Sequence, residues 1–426
     1  MGRLFENLPE GAQAELYRRV SRSWGVRFQN STFEGTSESR LDTKTVRVIQ
    51  SGKLSMASGS RPGSEADLLR TALELSKYGT QVDYDFPGVA EYGEIELASP
   101  EVPAMDFAEM IDICEDLISS VLKVDPDIRA SASVGAEELE VSLDNSNGFS
   151  GKYTKTVLRA GLGVRYVQGD DFLRFGESRA SWTNDLDYEG IKEEVIRLFK
   201  WAKQTVDMTA GTYPVIFAPE EVGHLTRPFI ASLNGKAVTR GISPLEEKIG
   251  QELLDPRVTL IDDGTVPREV SSVPFDREGV PTQRNVLIDK GVPKTILTDL
   301  ETARKLGTES TGNGSGRGPA PHRVILLPGD QTLEQLIAGI DLGVIVFGTM
   351  GAWTGNPLGG NVSGTISLGL KIVNGEIAGR VKNCMFSINS FKHFKDHLIG
   401  FSRETKSTRG ATYPYVALDE VVITSG

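Results

Sequence analysis

The sequence predicts an α+β protein of two domains, an N-terminal mixed α/β domain and a C-terminal strand-rich domain with few helices. Three observations carry this. The chain has 426 residues, more than one hydrophobic core usually organises. Residues 1–208 interleave strand patterns with three helical ones, whereas residues 209–426 are rich in glycine and strand patterns and poor in helix. The change of character falls around Asp207 to Gly211, so the boundary is set at 208/209.

In the first half, residues 45–50 and 54–57 alternate as strands about a Ser51-Gly52 turn. Residues 65–77 read as a helix with Leu68, Leu69, Ala72, Leu73 and Leu75 inward. A second helix, 106–121, places Met110, Cys114, Leu117, Ile118 and Val121 at helical spacing. Strands follow at 128–134, 138–143 and 153–167, with Asn147-Gly148 suited to a tight turn because both residues tolerate positive φ. The third helix spans 190–206. In the second half, strands are expected at 323–327, 342–347, 364–373, 376–381 and 415–423, an Asn374-Gly375 turn joins two of them, and a helix covers 390–399.

The net charge of −12 repels phosphates and argues against direct nucleic-acid binding. No run of about 18 apolar residues suggests a membrane span. The start has no apolar stretch fit for a secretory signal, and Gly2 lacks the Ser or Thr at position 6 of a myristoylation pattern. Cys114 and Cys384 form no paired motif. The expectation is a cytoplasmic protein with no direct nucleic acid and no membrane partner.

Generic chemical motifs are absent: there is no G-x-S-x-G elbow and no phosphate loop. The glycine-rich run at 312–318 leads into Pro319 and a strand, not into the helix that a dinucleotide loop must open, and reads better as a flexible or peptide-lining loop. His393 and His397 have the i, i+4 spacing that puts two imidazoles on one helical face, with Asp396 between them as in an inverted zinc motif. The competing reading is an exposed polar helix face. Glu220 and His224 match the last two functional positions of H-E-x-x-x-H, but Pro219 stands where the first His belongs. The residues therefore assign no catalytic group and no metal ligand; Glu220 and His224 are the catalytic candidates, His393 and His397 the metal candidates.

Several stretches, in order, carry a family resemblance: V-R-V-I-Q-S-G-K-L-S at 46–55, the helix at 66–79, D-N-S-N-G at 144–148, D-D-G-T at 262–265, P-F-D-R-E-G-V-P-T at 274–282 and N-V-L-I-D-K-G-V at 285–292. T-G-N at 311–313 with Arg317, H-R-V-I-L-L-P-G-D at 322–330 and V-N-G-E-I at 373–377 extend it. The chain thereby resembles the TldD/PmbA family, also called modulator of DNA gyrase, over nearly all of its length beyond the first twenty residues. In that family the TldD type carries H-E-x-x-x-H on a helix opening the second domain, with a later Cys as third zinc ligand. The PmbA (TldE) type lacks them and pairs with TldD, and the complex degrades unfolded peptides and trims peptide precursors. Residues 215–235 of this chain correspond to that helical region. One register aligns Glu220 and His224 with the motif; the other, which also keeps 231–235 in place, omits the motif altogether. Residues 405–413 contain no Cys.

The resemblance implies a non-catalytic subunit with no cofactor of its own, zinc in a TldD-type partner, unfolded or extended peptides as substrates, and a possible homodimer when the chain is isolated. Gly312 and Asn313, together with Asn361 and Ser363 in the glycine-rich stretch 354–364, are the substrate-binding candidates, lining a groove for an extended peptide held by main-chain bonds. Two alternatives stay open: a self-sufficient metallopeptidase with an atypical site, and a non-proteolytic regulator linked indirectly to DNA gyrase.

Overall fold

A computed structural model describes residues 4–169, 171–408 and 410–425. The start read for signals, residues 1–3, lies outside the described residues, as do Asp170, Arg409 and Gly426.

The first half is built on a seven-stranded antiparallel sheet: β1 (Gln13–Gln29), β2 (Thr32–Gln50), β3 (Lys53–Gly59), β4 (Thr80–Gln81), β5 (Arg129–Asn145), β6 (Ser150–Gln168) and β7 (Asp171–Ser181), in the order β4-β3-β2-β1-β5-β6-β7. β1 and β2 turn at Asn30 and Ser31, both at positive φ (51° and 61°), the geometry that matches strand twist in a two-residue hairpin. A bulge sets in where Arg27 faces Gly35 and Phe28 faces Phe33. Helices α1 (Glu65–Leu75), α2 (Glu101–Ala104), α3 (Phe107–Leu122) and α4 (Tyr188–Ala202) cover one face. α3 starts where the Asp106 side chain accepts the Glu109 amide, and it buries Met110, Cys114, Leu117, Ile118 and Val121. Each of the larger side chains adds about 1.5–3 kcal/mol by leaving water, so Leu117→Ala would cost about 2–5 kcal/mol.

The strands expected at 128–134 and 138–143 form the single strand β5. Its apolar pattern breaks because its two ends bury opposite faces. Ala130, Ala132, Val134 and Ala136 pack into the core with α3 and α4, whereas Val141 and Leu143 are buried on the other side of the sheet. At the 145–148 connection only Gly148 has positive φ; the Asn145 side chain accepts the amides of Asn147 and Phe149 instead. Leu75, expected inward, is 42% exposed because α1 ends there in a 3₁₀ turn.

The second half continues through β8 (Gly211–Phe217), α5 (Pro219–Ser232), α6 (Gly235–Thr239), β9 (Leu260–Asp263), β10 (Arg284–Asp289), β11 (Val292–Pro293), α7 (Leu300–Leu306), β12 (Val324–Leu326) and α8 (Leu333–Ala338). It ends with β13 (Leu342–Met350), β14 (Asn361–Val373), β15 (Glu376–Val381), β16 (Cys384–Asn389), α9 (Ser390–Asp396), β17 (Leu398–Thr408) and β18 (Ala411–Ser425). Neighbouring strands β8-β13-β14-β16-β18 close into a ring because β18 pairs back onto β8. Asn374 and Gly375 both take positive φ in the tight turn to β15. The helix expected over 390–399 ends at Asp396, and Leu398 already belongs to β17.

Alternation in β8 sorts its side chains between two cores. Val215 and Phe217 join Val222, Leu225 and Phe229 of α5, together with Val346, Phe386 and Leu418. Ile216 faces the opposite way, into one continuous core with Ile345, Leu370 and Ala417 and with Ile191, Leu198 and Phe199 of α4. The ring wall is thus packed against the helices of the first half.

A second junction joins the halves through the loop 274–282. Phe275 enters an aromatic nest with Tyr92, Phe149 and Tyr153, at centroid distances of 5.0–5.4 Å. Arg47 clamps Glu15 with two bonds of 2.9 and 3.0 Å and reaches Glu278 at 3.4 Å, while Arg277 donates to Glu15 at 3.0 Å. These two arginines and two glutamates sum to zero charge, the condition under which buried ions are tolerated.

Candidate functional site

The candidate site is the cleft at the start of α5, where the two halves face each other. Ala218 is extended (φ −66°, ψ 155°) and closes β8; Pro219 then opens the helix, where its missing N–H costs nothing and its fixed φ fits. Glu220 and Glu221 occupy the first turn, favoured by the positive end of the helix dipole.

Each of these carboxylates is engaged. Lys406 on β17 donates from Nζ to Glu177 Oε2 on β7 at 2.5 Å and also to Glu220 Oε1. Arg179 Nε lies 3.6 Å from Glu177 Oε1. Thr349 on β13 donates its hydroxyl to Glu221, and His224 Nε2 lies 4.0 Å from Glu221 Oε2. The His224 ring sits 6.0 Å from that of Trp353. Burial pushes the Glu177 carboxyl above its ordinary range against the pull of Lys406. Burial pulls the Lys406 ammonium down, but Glu220 and Glu177 outweigh it and hold it above the usual lysine value. A cavity of about 670 Å³ opens over this cluster, bordered by Glu177, Arg179, Glu220, Glu221, Phe347 and Ser407. A smaller one of about 190 Å³ shares Glu177, Glu220 and Phe347 and reaches Glu194.

As a donor set for a dication, the α5 residues fit poorly. Pro219 offers no donor atom, and the ammonium already on Glu220 would repel a metal. Among the described residues, no group of three or more His, Cys, Asp and Glu side chains is arranged to hold one.

The other sequence candidates lie elsewhere. His393 is buried: Nδ1 sits 2.8 Å from the Asn389 carbonyl and Nε2 3.2 Å from that of Glu420. The stretch 392–397 is an exposed face only in part: Lys392, Lys395 and Asp396 face solvent, whereas His393 and Phe394 are buried, the latter in the ring core. His397 caps the helix at φ −130°, with its ring 5.3 Å from that of His393. Asn313 is buried, and its amide is spent within the fold: it donates to Asp262 at 2.6 Å and to the Ala320 carbonyl at 3.0 Å, and accepts from Thr311 and Asn285. Its neighbour Gly312 presents its carbonyl 2.7 Å from His322 Nε2. Asn313 borders a cavity of about 230 Å³ with Tyr17, Tyr153, Phe275 and His322. Asn361 and Ser363 are exposed at the start of β14, and Asn361 accepts from Asn389 at 3.0 Å. None of the cavities described here joins them to Gly312 and Asn313. Cys114 and Cys384 are both buried.

Sequence reasoning missed Glu177, Lys406 and Thr349. Lys406 meets glutamates 229 and 186 positions away, so no local spacing announces the cluster. The one local signal is Lys406 itself, a basic residue in the 405–413 segment.

Comparison with known proteins places this architecture. The model of the PmbA/TldA metallopeptidase C-terminal domain matches residues 210–425, and that of the central domain of the same family matches residues 100–203. A metalloprotease of Methanothermobacter thermautotrophicus is 27% identical over 410 residues, 90% of this chain and 86% of that protein. A metalloprotease PmbA homolog of Haemophilus influenzae is 26% identical over 385 residues, 86% of this chain and 82% of that one. The same fold occurs in TldE from Thermococcus kodakarensis, with a TM-score of 0.91 at 23% identity over 100% of this chain and 98% of the other. The two matched models together span well over half of the residues, and the chain belongs to the PmbA/TldD metallopeptidase family.

Proposed function

We propose that this chain is a non-catalytic subunit of a TldD/TldE-type zinc metallopeptidase complex that breaks down unfolded peptides and matures peptide precursors, with the chain dividing at 208/209. The observation that carries the reading is the Lys406 ammonium on Glu220. A general base must take up a proton, and a zinc-polarising carboxylate must face the metal. Glu220 is instead neutralised by a built-in cation at the head of α5. Zinc and its chemistry are assigned to a TldD-type partner, and the protein to the cytoplasm, without direct contact to nucleic acid.

The cleft fits a role in completing a substrate channel: its walls come from both halves, residues 176–180 of β7 on one side and Glu220, Glu221 and Ser407 on the other. Asn361 and Ser363, exposed at the start of β14, are retained as peptide contacts; bulky replacements there should lower turnover by the assembled complex, and unchanged turnover refutes that assignment. Elemental analysis of chelator-free protein, alongside a peptidase assay with and without a TldD-type subunit, tests the whole reading. It requires no stoichiometric zinc in this chain and activity only with the partner. One zinc per chain with activity alone contradicts it.

A further inference from the structure

The open face of the first sheet carries three arginines in one row. Alternation along β5, β6 and β7 sends Ala130, Ala132, Val164, Tyr166 and Leu173 into the core under α3 and α4. It turns Arg129, Arg165 and Arg174 to the opposite face, where all three are exposed. In the strand register Arg129 stands opposite Arg165, and Arg165 opposite Arg174. Like charges set directly opposite each other weaken a sheet, so the row destabilises the fold it belongs to. The acids around it are engaged elsewhere: Glu137 with Arg19 and Arg159, Glu177 with Lys406, and Asp171 with Arg380 and Lys382. Among the described residues none of the three arginines forms an ion pair, in a chain whose net charge is −12. The surroundings give the row a direction. Next to it on the same face lie Ser131, Gly163 and Gly176, and beyond them Ser133, Gly161 and Ser178. Gly176 and Ser178, with Arg159, border the cavity at the head of α5, and Arg174 borders the smaller one. On the other side of the row Val167 and Phe172 face each other, 56% and 55% exposed.

We propose that this face docks an extended peptide segment with acidic residues two positions apart, its carboxylates on Arg129, Arg165 and Arg174 and its chain passing over Gly176 and Ser178 into the α5 cleft. On an extended segment, side chains two positions apart point the same way and lie about 6.8 Å from each other. That falls between the spacing of neighbouring arginines, about 4.8 Å, and that of the outer two, about 9.6 Å. Two carboxylates thus settle between three guanidiniums, whose planar forks bind carboxylates through paired hydrogen bonds. Glycine and serine keep the floor low, so the main chain of the segment passes without a clash. From Arg174 to Ala180 the strand runs about 20 Å, so a segment of about six extended residues links the row to the cleft. The net charge of the chain repels a long polyanion such as a nucleic acid. Val167 and Phe172, in contrast, give an apolar side chain of the same peptide a place to dock. This inference rests on the proposed role in peptide handling and narrows it to acidic segments.

Fluorescence anisotropy on the isolated full chain tests it, with two short labelled peptides, capped at both ends, that differ only in Asp-x-Asp against Asn-x-Asn. The Asp peptide should bind about tenfold more tightly at low salt, and Arg165→Gln should remove that difference. The same substitution relieves the like-charge contacts with Arg129 and Arg174, so the urea midpoint should hold or rise. A role confined to the fold would lower it. Arg40→Gln, at an exposed arginine on β2, should leave both affinities unchanged. Equal affinity for the two peptides, a loss of stability in Arg165→Gln, or tighter binding of a DNA duplex than of the Asp peptide overturns the proposal. Turnover plays no part in this readout, so it separates from the zinc and partner assay: failure here leaves the subunit assignment standing, and failure there leaves the affinities as measured.

Discussion

Two charged clusters bridge the halves of this molecule, and they solve opposite problems. At the 274–282 loop, Glu15, Arg47 and Glu278 are buried and Arg277 is half-buried, and the four are matched two against two. At the head of α5, Glu177, Glu220 and Glu221 border a cavity together with Arg179, and Lys406 lies between Glu177 and Glu220, so that three acids face two cations. Neutrality and bidentate geometry make the first a lock, because no member can be lost without stranding another. In the second, Glu177 and Glu221 are buried as well, and the unbalanced charge reaches water through Glu220, whose side chain is 32% exposed on the cavity. Charge balance, more than burial, separates the structural cluster from the candidate site.

The largest expected effect lies in the lock. Arg47→Met leaves Glu15 and Glu278 without their shared cation and should cost about 3–5 kcal/mol in urea unfolding; a loss below 1 kcal/mol would show that the cluster is not a lock. Asp276 sharpens the same contrast. Burial pushes its carboxyl up to about 7, with Glu278 adding to the rise, so the folded state prefers it protonated. Its contribution to stability is fully present below the unfolded value of 3.8 and is lost as pH rises through about 7. The urea midpoint should therefore fall between pH 5 and pH 8, and Asp276→Asn should flatten that fall. In the α5 cluster, Glu220→Ala should cost only about 1 kcal/mol, because that carboxylate is 32% exposed and Lys406 keeps its pair with Glu177. A loss as large as that of Arg47→Met would erase the distinction.

The helices were legible because their apolar positions repeat at helical spacing: Met110 to Val121 on α3 and Ile191 to Ala202 on α4 are buried as the sequence required. The hairpin of β1 and β2 was legible only near Val46 and Ile49. Its middle is polar on both faces, with Arg18, Arg19, Arg22, Glu38 and Arg40 interrupting the pattern, although Trp24, Val26 and Phe28 further out do alternate and are buried. β5 was split in two because its buried face changes side midway. At the site, Glu220 and His224 were visible as fragments of a motif. Their actual partners, Lys406 and Glu221, follow from closure of the ring by β18 and from β17 hairpinned to it, and such long-range pairing leaves no local spacing. His393 looked like a surface ligand because its neighbours Lys392 and Lys395 are charged, yet the helix turns it toward two backbone carbonyls.

The central claim is that the head of α5 in this chain binds and shapes but does no chemistry. Glu220→Gln, made in this chain and assayed in the complex with a TldD-type subunit, addresses it most directly. The account predicts peptide turnover within about twofold of the unaltered complex, since no proton or metal depends on that carboxylate. A fall of about 100-fold or more, the scale of a lost general base, would contradict it.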